Sequence, residues 1–290
     1  SGNGTYGFYG KLMFLNMNTE GSWWQVRDNA DLAITGGRST IGGNGLYFYG
    51  GNKLTVSDGA YVGGASKVPT YGFDRNVLKQ NYGFPFDTGR SKGSMVVTNG
   101  GHICCMAMAN TFSAEDGGII EVLGAGDNVA ASTWTFNGGE LRLNPADAGY
   151  TFNVGPDKDG AKIVVGSKGM TLRTLPKTYI YTSGFMQFYV RNAIEGSGDV
   201  IRRGTGFVEF YRPLTISGEF ANLDGTLRIP NKAAVTDATV PLFGTGDFRL
   251  SNSRLEYHSD ISKVFTARFG TGGNFIYEGA ATIRVRESVN

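Results

Sequence analysis

Met95-Val96-Val97-Thr98-Asn99-Gly100-Gly101-His102-Ile103 decides the fold. It reads as a short alternating strand, an Asn-Gly turn and a second alternating strand. The same unit recurs at Leu54–Val62, turning at Asp58-Gly59, and at Trp134–Leu141, turning at Asn137-Gly138. A looser copy spans Phe248–Leu255 around Asn252. Gly59, Gly100 and Gly138 lie 41 and 38 residues apart, with a further turn at Asp116-Gly117 between the last two. Both gaps are close to twice ~20, which predicts a solenoid repeat of about 20 residues.

A second unit dominates the C-terminal third. It occurs as Gly196-Ser-Gly198-Asp-Val-Ile, Gly204-Thr-Gly206-Phe-Val-Glu-Phe, Gly244-Thr-Gly246-Asp-Phe-Arg-Leu and Gly270-Thr-Gly272-Gly-Asn-Phe-Ile. Each is a Gly-[Ser/Thr]-Gly turn feeding an alternating strand. Nowhere do apolar residues recur at helical spacing with capping signals, so the chain is predicted to be all-β.

The stretch Gly196–Phe210, continuing through Leu214–Gly218 to Leu223–Ile229, resembles the autotransporter-associated β-strand repeat, as does Leu242–Tyr257. The resemblance is good over about 190–285 and weak over 30–145. It implies a right-handed parallel β-helix on a secreted or surface-displayed passenger. The chain departs from that pattern in its many aromatics. No C-terminal membrane-barrel segment is read, so anchoring through its own barrel is not expected.

Elementary physics supports the same architecture. Stacked parallel strands satisfy one another's backbone groups, and glycine and asparagine permit the positive-φ corners that each coil needs. With ~20–25 residues per coil, the chain makes about 12–14 coils and a rod roughly 60 Å long. The alternative is an antiparallel β-sandwich, because Asn99-Gly100 and Asn137-Gly138 are also strong hairpin signals. One domain is expected over 1–290. A loop or extension at 67–91, marked by Pro69 and Pro85, leaves the regular stack.

Composition narrows the function classes. Glycine supplies 45 of 290 residues with only 8 prolines, and no strict triplet runs through them, which excludes collagen. Lys plus Arg is 27 against 25 for Asp plus Glu, so nothing marks a nucleic-acid partner. No run approaches the ~20 apolar residues of a spanning helix. Ser1–Thr5 reads as a mature or trimmed N-terminus.

Few residues suggest chemistry. Cys104 and Cys105 are adjacent in a strand read as buried, and behave as small hydrophobes with no CxxC spacing. His102 sits in that strand and His258 at a strand end, neither near a nucleophile signature. The Gly-x-Gly turns precede strands, so they do not cradle phosphate. Asp157-Lys158-Asp159-Gly160 echoes a calcium loop without its remaining ligands, and reads as a hydrated turn. Glu115 and Asp116 are neighbours and make a poor acid–base pair, since adjacent strand residues face opposite ways. Arg202, Arg203 and Arg212 cannot be set opposite an acid from sequence. No catalytic residue, cofactor or metal site is assigned.

Aromatics remain. Tyr6, Phe8, Tyr9, Trp23, Trp24, Tyr47 and Tyr49 lie at consecutive or alternating positions, so some must face outward as contact residues for sugar rings or a protein interface. No amphipathic capping helix is read at either end, so the ends are expected to be covered by loops or to dock on another copy. The expected function is a non-enzymatic extracellular or cell-surface rod, structural or adhesive. Its expected partner is itself, end to end in a filament, or a surface glycan. The alternative is a carbohydrate-active β-helix that binds or cleaves a polysaccharide.

Overall fold

A computed structural model describes residues 4–9, 13–14, 24–26, 30–41, 46–48, 53–64, 84–87, 94–108, 111–123, 133–144, 151–154, 162–176, 187–230, 241–258 and 272–286. These form three sheets with no helix among them. The first sheet runs Gly4–Tyr9, Ala30–Thr35, Lys53–Ser57, Ser94–Val97, Thr111–Glu115, Thr133–Asn137, Lys162–Val165, Ala193–Gly196, Thr215–Ile216. The second runs Met13–Phe14, Arg38–Ile41, Tyr61–Gly64, His102–Met108, Ile119–Leu123, Gly139–Asn144, Met170–Thr174, Val200–Gly204, Phe220–Asn222, Phe248–Ser251, Phe275–Glu278. The third runs Thr151–Val154, Gln187–Val190, Phe207–Phe210, Thr226–Ile229, Arg254–His258, Thr282–Arg286.

Strand order rises with sequence in every sheet, and the chain visits the sheets in rotation. Each pairing between strands is parallel, as at Ser94↔Thr111 and His102↔Ile119. This is consistent with a parallel β-helix or solenoid. It overturns the antiparallel sandwich. At Asn99-Gly100 the Asn-Gly signal is turn chemistry put to another use, whereas at Asn137-Gly138 only the glycine has positive φ (82°). Asn99 and Gly100 both have positive φ (47° and 71°), and Gly101 N–H donates to Thr98 O at 2.8 Å. That is the type I′ geometry of a two-residue hairpin. Here the two flanking strands enter different sheets, and the turn pairs with its counterpart in the next coil: Gly100 N–H donates to Asp116 O at 3.2 Å. Asp58-Gly59 and Asp116-Gly117 repeat the geometry.

The residue after each turn also has to be small. A Cβ on Gly101 would lie 2.3 Å from Val56 O, one coil away. Gly118 and Gly139 are as tightly placed, against Val97 O and Ala114 O. Much of the glycine excess is therefore corner geometry.

Gly59 and Gly100 belong to successive coils, since Gly59 N–H donates to Asn99 O at 3.1 Å. The 41-residue gap is one long coil, not two short ones. Phe84–Asp87, inside the expected 67–91 extension, is a strand that pairs with His102–Met108 and Leu46–Phe48. The rest of that extension lies outside the described residues.

Inward side chains stack by register. Leu54, Met95, Phe112, Trp134, Ile163 and Ile194 form one buried row of the first sheet. In the second sheet Val200, Phe220 and Phe248 form another, continued by the partly buried Phe275. Burying one such side chain is worth about 1.5–3 kcal/mol. One inner row breaks the rule. It runs Ile103, Ile120, Leu141, Leu172, then Arg202 and Asn222, then Leu250. Arg202 and Asn222 are fully buried.

Candidate functional site

The second sheet turns a charged face outward. Alternation puts His102, Ile119, Glu140, Thr171 and Ile201 in one outer row by register. Cys104, Glu121, Arg142, Arg173 and Arg203 form the row beside it. His102 is thus on the outer face and half-buried, its ring edge-on to Tyr61 at 4.8 Å. Cys104 is a buried thiol in an outer row, sharing its face with Glu121, and is not part of the inner stack. The side chain of Cys105 lies outside the described residues.

These charges are spent on one another. Glu121 Oε2 meets His102 Nε2 at 2.8 Å, while Asn144 Nδ2 donates to Glu121 Oε1 at 2.5 Å. Arg142 Nε donates to Glu140 Oε1 at 2.6 Å, and Arg173 Nε donates to both Glu140 oxygens at 3.1 Å. Burial pushes the Glu121 carboxyl up. The hydrogen bonds from His102 and Asn144, with the charges of His102 and Arg142, outweigh that and hold it below its ordinary value.

Beside this ladder lies a cleft of about 300 Å³. Its floor is the outer row Ile119, Glu140, Thr171 and Ile201. Its wall is the line of corners: Gly117, Gly138, Gly139, Lys168, Gly169 and Asp199. These glycines are small because the adjacent coil lies against them: a Cβ on Gly169 would lie 2.7 Å from Asp199 O, and one on Gly139 2.4 Å from Ala114 O. Lys168 Nζ donates to Asp116 Oδ1 at 2.5 Å, and this bond raises its pKa. Asp199 Oδ1 accepts Glu219 N–H at 2.7 Å. The cleft crosses four coils and therefore runs along the stack, not along a strand.

The third sheet carries a second outward cluster. Arg228 lies over the Phe207 ring at 4.0 Å and donates to Glu209 at 3.3 Å and Glu256 at 3.1 Å. Both carboxylates are bound to that one guanidinium, so neither is placed as an acid or base. Tyr189 and Tyr211 pack at 5.3 Å, and burial, then Glu209, raises both phenols.

Arg202 meets no acid within salt-bridge distance among the described residues. Its Nη2 donates to Thr205 O and Gly206 O, both at 3.2 Å, while Nε and Nη1 have no partner. Burial lowers its pKa to about 10. Arg203 is exposed, and Arg212 lines a small hollow with Arg228 and Phe243.

Tyr6, Phe8 and Tyr9 lie in Gly4–Tyr9, in register with Leu32, Ile34 and Thr35. Trp24 pairs with Leu46, and Tyr47 with Gln25. Trp23 and Tyr49 lie outside the described residues, as do the side chains of the other five and all of Asp157–Gly160. Sequence reading missed the cleft and the Tyr189–Tyr211 pair. Their signal was faint: Tyr189 stands opposite Glu209 and Tyr211 two residues beyond it, and the cleft residues come from four separate coils.

No group of three or more His, Cys, Asp or Glu suited to a metal occurs among the described residues. No helix among them is long and apolar enough to cross a membrane. Compared with models of protein families, with curated proteins and with solved structures, the chain matches none.

Proposed function

We propose that the chain is a right-handed parallel β-helix of the autotransporter-passenger type, acting as a non-enzymatic structural or adhesive rod outside the cell. The carrying observation is that successive coils are tied by three devices at once. Corner amides ladder from coil to coil, Asp and Asn side chains accept backbone N–H groups of the next coil, and outward charges pair across coils. Such a stack is stiff along its axis, and its carboxylates stiffen it instead of polarising a substrate.

End-to-end assembly with a second copy completes the proposal. Among the described residues, Tyr277, Ile283 and Val285, all in the final two described strands, are the large hydrophobics that stand exposed, at 51%, 39% and 50%. Tyr277 and Ile283 sit one coil beyond the buried Leu250 and Leu255. Phe275–Glu278 holds a partner on one edge among the described residues, and so does Met13–Phe14 at the other end of the same sheet. A copy translated along the axis extends that parallel ladder, a head-to-tail contact that does not close. Analytical ultracentrifugation over a dilution series tests it: mass that grows with concentration supports it, and a constant monomer overturns it.

Polysaccharide recognition is the second reading, favoured by the axial cleft.

A further inference from the structure

We infer that the axial cleft binds a neutral, extended polysaccharide lying parallel to the stack. This rests on the adhesive reading and names its ligand class. The four floor residues are separated by single coils, so at ~4.8 Å per coil they span roughly 14 Å, room for roughly three linked pyranose rings. A polymer with a repeat near the coil spacing meets one floor residue per unit.

The lining selects the chemistry. Ile119 and Ile201 offer apolar surface to sugar C–H faces at the two ends of the floor. Thr171 between them adds a hydroxyl that both donates and accepts. The wall contributes Lys168, with two N–H donors beyond its bond to Asp116, and Asp199, with a second carboxylate oxygen. Donors and acceptors alternate, which suits hydroxyl groups that play both parts. The corner backbone is already committed: Gly117 N–H donates to Gly138 O, and Gly138 N–H to Gly169 O, both at 2.7 Å. Ligand polar contacts therefore fall to side chains. Charge argues for neutrality, since Lys168 is paired with Asp116 and Glu140 with Arg142 and Arg173, so the lining offers an ionic sugar no excess of one sign. Glu140 is held by Arg142 and Arg173, so it is a fixed acceptor, not a free acid.

Isothermal titration of the full chain with cellotetraose, xylotetraose, mannotetraose and chitotetraose tests this, with tetragalacturonate as the charged control. Saturable binding of a neutral tetrasaccharide is expected, weakened at least about tenfold by Thr171→Arg or by Ile201→Asp. Unchanged melting temperatures establish that the variants fold, and hydrogen exchange on the wild type with sugar locates protection at 168–171 and 199–201. Absence of binding by every neutral sugar overturns the inference, and so does tighter binding of the uronate. Binding that survives both substitutions also overturns it. The rod reading fails separately, through particle shape without any sugar present.

Discussion

Asp247 Oδ1 accepts the backbone N–H of Asn274 at 2.8 Å, across 27 residues of sequence but a single coil of structure. Asp199 does the same for Glu219 two coils earlier. The aspartate that follows Gly-[Ser/Thr]-Gly is thus a coil-to-coil tie. Asp247→Ala is expected to cost about 1 kcal/mol, and Asp247→Asn much less, because the amide oxygen still accepts. Urea unfolding of the three proteins checks the order. Equal stability of all three would remove the tie from the account.

The two glycines of Asn99-Gly100-Gly101 do different jobs, so they should respond differently. Gly100→Ala meets no atom within 4 Å but places a side chain at φ 71°, a loss of about 1 kcal/mol. Gly101→Ala collides with Val56 O, and a loss of about 3 kcal/mol or failure to fold is expected. Thermal unfolding of the pair compares them, and a milder effect at Gly101 would contradict the corner geometry.

Arg202 occupies a position that the apolar row would give to leucine. A buried, unpaired cation is costly, and volume-matched apolar replacements of buried ions stabilise by about 1–4 kcal/mol. Arg202→Met is expected to raise the unfolding free energy within that range, measured by denaturant titration. A large loss instead would mean that the bonds to Thr205 O and Gly206 O carry the corner.

Glu121 makes stability depend on acidity. Its folded-state pKa is depressed below the ordinary 4.5. Its contribution is therefore fully present above pH 4.5 and is lost as pH falls through the lower folded value. Glu121→Gln should be less stable than wild type at pH 7, with the difference shrinking on acidification. Melting temperatures across that window check the sign, and a gap that widens at low pH would reverse it.

The fold was legible because corner chemistry is local. Asn99-Gly100 dictates its own positive-φ turn, and Val97 and Ile103 dictate their own burial. The choice between hairpin and coil was not local, since a type I′ turn serves both and the partner strand decides. Coil length misled at Gly59 and Gly100 because an excursion raised one coil to 41 residues. Arg202 was unreadable, as alternation places it inward only once the register of Leu172 and Asn222 is known. The cleft was hidden for a related reason: its residues come from four coils, and only the register brings them together.

Negative-stain electron microscopy across a dilution series tests the central claim most directly. The account predicts slender rods, roughly 50 Å long from the eleven successive strands of the second sheet at ~4.8 Å per coil, that join end to end as concentration rises and separate when Ile283→Lys charges the terminal coil. Compact, isodiametric particles at every dilution would contradict the parallel stack itself.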